Sequence, residues 1–288
     1  MLLKAKPHDL LHLMRLDKPI GTLLLLWPTL WALWIAAEGV PELHLLAIFI
    51  AGTFLTRSAG CIVNDVADRN FDGSVLRTEE RPLVTGAVSV RDALLLCLLL
   101  LLAAFALVLL TNPLTIALSL GAVAVAATYP FMKRYTHWPQ LVLGVAFSWG
   151  IPMAFAAERE SLPAALWWLF AANLLWTVAF DTEYAMVDRN DDLKVGIKST
   201  AVLFGRADRP LIGLFQLGSL ACLFAAGQAF SLTTWYWAGL LGVIALFSYH
   251  QWLIRGRERM ACFRAFRHNN WVGASVFLGI ALHYGLAA

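Results

Sequence analysis

Apolar residues fall in nine blocks along the chain, each close to the roughly 20 residues that a helix needs to cross about 30 Å of hydrocarbon. The blocks predict helices over Ile20–Ala37, Leu43–Val63, Ala93–Leu110, Leu114–Met132, Pro139–Ala157, Leu162–Phe180, Leu211–Phe230, Thr234–Leu253 and Trp271–Leu286. Gly, Pro or a charge punctuates each junction, as in Glu38-Gly39-Val40-Pro41, Thr111-Asn112-Pro113 and Leu162-Pro163. The expected fold is an all-α, polytopic membrane helix bundle of about nine transmembrane helices, a single domain over residues 1–288.

Composition agrees with that pattern. The 288 residues are 60% hydrophobic and 14% charged, with a mean hydropathy of +0.69; a soluble domain has about 45–50% and about 25%. A soluble core with one anchor is excluded. The opening segment carries Lys4 and Lys6 but runs on through Asp9, Arg15 and Asp17 with no small-residue cleavage site, so no removable signal peptide is expected. Cys61, Cys97, Cys222 and Cys262 lie far apart without metal-ligand spacing, as buried thiols do.

The net charge of +3, from 22 basic and 19 acidic residues, favours neither nucleic acid nor an acidic partner. Its distribution says more. With the amino terminus in the cytoplasm, nine spans assign 21 of the 22 Lys and Arg to the inner face, Arg57 among them, and leave Arg159 outside. One helix more or fewer would scatter the later basic loops over both faces. Glu38, Glu42, Glu158 and Glu160 fall outside, so the inner face carries +6 and the outer face −3. Trp27, Trp138, Trp167, Trp168, Trp235, Trp237 and Trp271 sit towards helix ends, the pattern of an interfacial belt.

Two acidic clusters follow the second and sixth spans, both on the inner side. If the second helix persists, Asn64, Asp68 and Asp72 share a sector of about 80°. In the second cluster Asp188 and Asp192 are i and i+4, and Asp181 lies seven residues earlier on the same face. Carboxylates 4 Å apart repel by about 4 kcal/mol at an effective dielectric near 20, so a cation or a proton must offset them. Oxygen donors without His or Cys disfavour zinc and favour magnesium or manganese. Magnesium usually bridges one or two carboxylates to a phosphate. Two facing acidic stripes therefore read as a magnesium diphosphate clamp. The alternative is a set of solvated loop charges paired with Arg69 and Arg189. Lys18, Arg77, Arg81, Lys133, Arg134, Lys194 and Lys198 supply cations on the same face, where a diphosphate leaving group needs donors for its growing charge.

These residues resemble the UbiA superfamily of intramembrane aromatic prenyltransferases. The likeness rests on Asn64-Asp65-x-x-Asp68-x-x-x-Asp72, on Asp188-x-x-x-Asp192, and on Tyr129-Pro130-Phe131-Met132-Lys133 as the YxxxK element. Arg15-Leu16-Asp17-Lys18-Pro19-Ile20-Gly21, the stretch Arg77 to Pro82, and Tyr184 through Thr200 resemble the bacterial 4-hydroxybenzoate polyprenyltransferases within it. The resemblance covers essentially the whole chain. It implies a lipid-facing cavity in which a polyprenyl group passes from its diphosphate to the ring carbon ortho to the hydroxyl of 4-hydroxybenzoate, an early step of ubiquinone synthesis. Diphosphate departs, the phenol ring attacks the allylic cation, and a base removes the ring proton. The location implied is the bacterial inner membrane, with the amino terminus and active site cytoplasmic and the carboxyl terminus opposite.

On this reading Asn64, Asp68, Asp72, Asp188 and Asp192 hold Mg2+, while Asp65 and Asp191 are turned off the shared stripes. Lys133, Lys194 and Lys198 take diphosphate oxygens. Lys18, Arg77, Arg81 and Tyr129 line the substrate site, and Arg134 takes the benzoate carboxylate, a role interchangeable with those of the lysines on sequence alone. Three rivals stand beside it. A cation-coupled transporter would place acids deep within spans. A phosphoalcohol transferase would carry a glycine-bearing double-aspartate signature. A prenyltransferase for another quinone, haem or chlorophyll precursor would share every motif.

Overall fold

The computed structural model describes residues 4–73 and 78–286, with residues 70–72 described by their backbone only. Among these residues the regular elements are all helical. They are α1 (Pro7–Leu13), α2 (Ile20–Ala37), α3 (Leu43–Asp72), α4 (Val90–Val108), α5 (Pro113–Tyr135), α6 (Pro139–Ser148), α7 (Gly150–Arg159), α8 (Leu166–Val195), α9 (Thr200–Phe204), α10 (Asp208–Ala229), α11 (Thr234–Leu253) and α12 (Arg259–Leu286). With α6 and α7 taken as one broken crossing, nine long helical units result among the described residues, one for each apolar block. Seven helical stretches among them are long and apolar enough to cross a membrane by composition alone. In α8 and α12, Trp, Asn and charged residues interrupt the apolar run.

Local sequence sets several of the boundaries. Ser89 accepts from the Asp92 amide at 3.1 Å to cap α4, and Asn112 accepts from Thr115 at 2.9 Å to cap α5, with Pro113 at its first position. Arg159, the single basic residue assigned to the outer face, donates to the terminal carbonyls of α2 at Ala36 (2.5 Å) and Ile35 (3.1 Å) and to Glu38 at 2.7 Å. It satisfies acceptors that the end of a helix leaves open.

Three boundaries differ from the apolar pattern. Helices α3 and α8 run past Val63 and Phe180 to 30 residues each, about 45 Å, because no Gly or Pro interrupts residues 64–72 or 181–195. Helix α8 stops at Gly196, whose φ of 75° belongs to the left-handed region that glycine adopts without strain. Helix α12 starts at Arg259, twelve residues before the predicted Trp271. The fifth block breaks at Trp149, since Pro152 offers no N–H to the Ser148 carbonyl and its ring crowds that position.

The core lies between α2, α7, α8, α10, α11 and α12 and the first turns of α3. Trp31 and Trp176 stack there at 5.6 Å between ring centroids, their indole N–H groups donating to the Gly273 carbonyl (3.0 Å) and to Asn269 (2.8 Å). These two tryptophans belong to the interior rather than to a belt. Asn269 also donates to the fully buried Glu183 at 2.8 Å, with Gln216 of α10 at 3.4 Å, so one polar tie joins α8, α10 and α12. All four cysteines are free thiols, three of them buried.

Candidate active site

Helices α2, α3, α4, α5, α6, α8 and α12 enclose a cavity of about 1660 Å³. Towards the C-terminal halves of α3 and α8 its wall is polar, with Asn64, Asp65, Asp68, Asp181, Asp188 and Asp192. Deeper in, Leu101, Leu102 and Phe105 of α4 and Ala122, Val123 and Ala126 of α5 make it apolar. Leu102, Phe105 and Val123 are exposed rather than packed against a neighbour.

Helical periodicity past the apolar blocks brings the two acidic stripes to this space. Asp68 is 2% exposed and Asp188 and Asp192 are 8% exposed each, so they are not solvated loop charges. Among the described side chains, the arginines beside them are held by other partners than the alternative reading required. Arg69 donates to the Val66 carbonyl at 3.0 Å, and Arg189 pairs with the fully buried Asp208 at 3.0 Å. Asp68 instead pairs with Lys133 of α5, and Asp188 pairs with Arg259 of α12 at 3.3 Å. Arg259 also reaches Asp191 at 2.8 Å, and that hydrogen bond and charge hold its guanidinium above its ordinary pKa. Asp65, one position round from Asn64, meets Arg15 and Arg81. The side chain of Asp72 lies outside the described residues, as does the whole of Arg77.

Not every predicted cation reaches the cavity. Lys18, Arg81, Tyr129, Lys133 and Lys198 line it. Lys198 is set by the turn after Gly196, where its amide donates to the Lys133 carbonyl at 3.1 Å and its ammonium to the Tyr135 carbonyl at 3.3 Å. Arg134 and Lys194 are not among the lining residues. The Arg134 guanidinium donates to the Ala67 carbonyl at 2.6 Å and lies 5.7 Å from the Phe131 ring. One residue rotates the side chain about 100° on a helix, which separates Arg134 from Lys133. Lys194 is solvated, 3.9 Å from Asp191.

One cation was assigned to the wrong environment. Arg57, counted with the inner loop charges, lies within α3 and lines the cavity. It is seven residues before Asn64, about 10 Å deeper along the helix. Its Nη1 contacts the Cys61 thiol, and its Nε is buried with no hydrogen-bond partner among the described residues. Gly21 of α2 leaves the space for it, since a Cβ there would overlap the guanidinium. The donor set at the mouth of the cavity consists of carboxylate and amide oxygens, which suits Mg2+. Among the described residues no three His, Cys, Asp or Glu form a ready cage.

A family model described as the UbiA prenyltransferase family matches residues 25–272. The chain belongs to that family. Similar UbiA proteins include the 4-hydroxybenzoate octaprenyltransferases of Aeromonas salmonicida, 59% identical over 99% of this chain and 98% of that protein, and of Pseudomonas aeruginosa, 58% identical over 99% and 96%. Among solved structures, a UbiA homologue from Aeropyrum pernix K1 superposes with a TM-score of 0.80 at 25% identity, covering 91% of this chain and 98% of the other. A UbiA homologue from Archaeoglobus fulgidus, bound to GPP and Mg2+, gives 0.74 at 20% identity over 97% and 98%. The all-helical membrane bundle is thus a UbiA fold, and the expected likeness to that superfamily is confirmed.

Proposed function

We propose that this UbiA protein transfers a polyprenyl group from polyprenyl diphosphate to the ring carbon ortho to the hydroxyl of 4-hydroxybenzoate, in ubiquinone biosynthesis, with Mg2+ as cofactor. The observation that carries the reading is one cavity with two facing acidic stripes and cations at its mouth and an apolar wall beyond. The names of full-length relatives at 58–59% identity support the choice of acceptor.

Asn64, Asp68, Asp188 and Asp192 would hold the metal with diphosphate oxygens, and Asp72 joins them by its sequence position. The bound metal would supply positive charge to the departing diphosphate. Lys133 and Lys198 stand beside the acids as donors to the remaining oxygens, and Lys18 and Arg81 extend the cationic rim. The Tyr129 hydroxyl faces the same space. Arg57, rather than Arg134, is placed to take the carboxylate of the acceptor, because it alone of the two lines the cavity and has a buried donor to offer. That contact would turn the phenol end of the ring towards the diphosphate. The apolar wall of α4 and α5 keeps water from the allylic centre, where it would form an alcohol, and takes the first isoprene units while the rest of the tail lies in lipid.

We further place the protein in the bacterial inner membrane, with the amino terminus and the mouth of the cavity cytoplasmic and the carboxyl terminus outside, on the asymmetry of 20 basic residues assigned to the inner face against one outside, with Arg57 set apart within α3. Membranes holding the protein should label polyprenyl hydroxybenzoate when given polyprenyl diphosphate, Mg2+ and radiolabelled 4-hydroxybenzoate. Label in a different aromatic acceptor but none in 4-hydroxybenzoate would refute the assignment, and full transfer in excess chelator would refute the metal role.

A further inference from the structure

Helix α1 ends at Leu13, and the chain then turns through Arg15 with φ at 59°. An L residue is strained in that left-handed region, and glycine is the ordinary occupant. Here the turn positions an arginine with specific contacts. The Arg15 Nη1 donates to the His12 carbonyl at 3.0 Å, and its Nη2 donates to both carboxylate oxygens of Asp65, at 2.9 and 2.6 Å. Arg81, sixteen residues beyond Asp65, pairs with the same carboxylate at 2.9 Å. Asp65 is 2% exposed, the Arg15 and Arg81 side chains are 18% and 14% exposed, and all three residues line the cavity. Two guanidinium groups against one carboxylate leave these three residues with a net positive charge, next to the stripe that begins at Asn64.

A long arginine loses rotamer entropy when it is held in place, and two arginines brought together repel each other. A single buried carboxylate removes both obstacles, and the five N–H donors of a guanidinium allow Arg15 to hold Asp65 and His12 and still donate into the cavity. We propose that Asp65 is a positioning residue, which fixes Arg15 and Arg81 as a preformed pair of donors for the diphosphate of the prenyl donor. The proposal rests on the reading of the cavity as a prenyl diphosphate site. It gives Asp65 a role distinct from Asn64 and Asp68, with which it shares a motif: it organises cations and does not bind the metal. It also explains why a segment so near the amino terminus reaches the site.

The test is a kinetic comparison of the full-length wild type with Asp65→Asn, Asp65→Glu and Arg15→Gln in membranes, together with inhibition by inorganic pyrophosphate and thermal unfolding of purified protein in detergent. A hydrogen bond to a charged group corresponds to a factor of about 10 to 150 in affinity. Asp65→Asn should therefore raise the KM for polyprenyl diphosphate and the inhibition constant of pyrophosphate at least tenfold. The KM for 4-hydroxybenzoate and the Mg2+ concentration for half activation should each stay within about twofold. Asp65→Glu should recover part of the donor affinity, and Arg15→Gln should reproduce the donor defect with Arg81 still on Asp65. If Asp65→Asn fails to fold, Arg15→Gln decides. A lower unfolding temperature with donor KM and pyrophosphate inhibition unchanged would make the cluster a structural clamp and overturn the proposal. A shifted Mg2+ requirement with unchanged pyrophosphate inhibition would make Asp65 a metal ligand and overturn it equally. Absence of prenyl transfer in the wild type would defeat the underlying reading, whereas an active wild type with a normal donor KM in Asp65→Asn and Arg15→Gln would defeat this inference alone.

Discussion

Replacement of Arg57 by methionine separates binding from stability. The guanidinium lines the cavity from within α3, and its buried Nε has no partner among the described residues. An unsatisfied buried donor costs about 1–3 kcal/mol, and methionine keeps much of the length and the apolar stem without that cost. The substrate-free variant should therefore unfold in detergent at an equal or higher temperature. Binding should change in the opposite sense. A hydrogen-bonded contact to a carboxylate is worth about 1.5–3 kcal/mol, which is a factor of roughly 10 to 150 in the KM for 4-hydroxybenzoate. Donor KM should stay within about twofold, because the diphosphate donors sit about 10 Å nearer the mouth of the cavity. Arg57→Lys should fall between the two, since an ammonium keeps the charge but not the planar fork. Initial rates with each substrate varied in turn would measure both constants. An acceptor KM unchanged in Arg57→Met, or acceptor and donor KM rising together, would refute the assignment of Arg57 to the carboxylate.

Gly21→Ala should raise the acceptor KM by a smaller factor, because its Cβ would push the Arg57 guanidinium aside without removing it; the same initial-rate assay reads it. Arg134→Ala should retain activity within about threefold while Lys133→Ala loses most of it, since only Lys133 lines the cavity; parallel turnover assays of the two would show it. Asp188→Ala should abolish turnover while the protein remains inserted and folded, since Arg259 keeps Asp191 at 2.8 Å; near-normal rates would defeat the clamp. Asp208→Asn should destabilise the protein by about 3–5 kcal/mol, the cost of breaking a buried pair, because Asp208 is fully buried against Arg189 and Arg257; thermal unfolding in detergent measures the loss.

What the sequence made legible was whatever repeats at helical spacing. Asn64, Asp68, Asp188 and Asp192 announced themselves because i, i+4 and i+7 positions share a face whether or not the neighbouring residues are apolar, and both helices continue far enough to display them. Arg57 gave no such signal. A single basic residue in an apolar run is accounted for by the inner-face excess of Lys and Arg, and only the packing of α2 on α3 at Gly21 shows that it faces a cavity. Lys133 and Arg134 are indistinguishable as neighbours in sequence, and the turn angle of α5 separates them. The partners of Asp65 come from segments 50 residues before and 16 after it, contacts that no local pattern encodes. The break at Trp149 did have a signal in Pro152, outweighed by the hydrophobicity of the block around it.

Length accounts for where the chemistry sits. Helices α3 and α8 have 30 residues each, so they extend about 45 Å where the hydrocarbon is about 30 Å thick. Helix α3 begins at Leu43, directly after the short loop that follows α2, so its surplus of about ten residues lies at its acidic end. The same holds for α8, which starts after Pro163 and carries its acids in its last half. The surplus takes Asp65, Asp68, Asp188 and Asp192 out of the hydrocarbon, where ionised groups are costly, yet keeps them on helices packed against α5 and α12, which supply Lys133 and Arg259 as counter-charges to Asp68 and Asp188. Below them, Arg57 and Asp181 face the cavity and Glu183 is buried against Asn269, so these groups meet protein rather than lipid. One pair of overlong helices thereby holds a polar head group at the interface and an apolar chain at depth within a single space, and the order of groups along α3, with Arg57 deepest and Asp68 near the mouth, sets the order in which an aromatic acid and a diphosphate would lie.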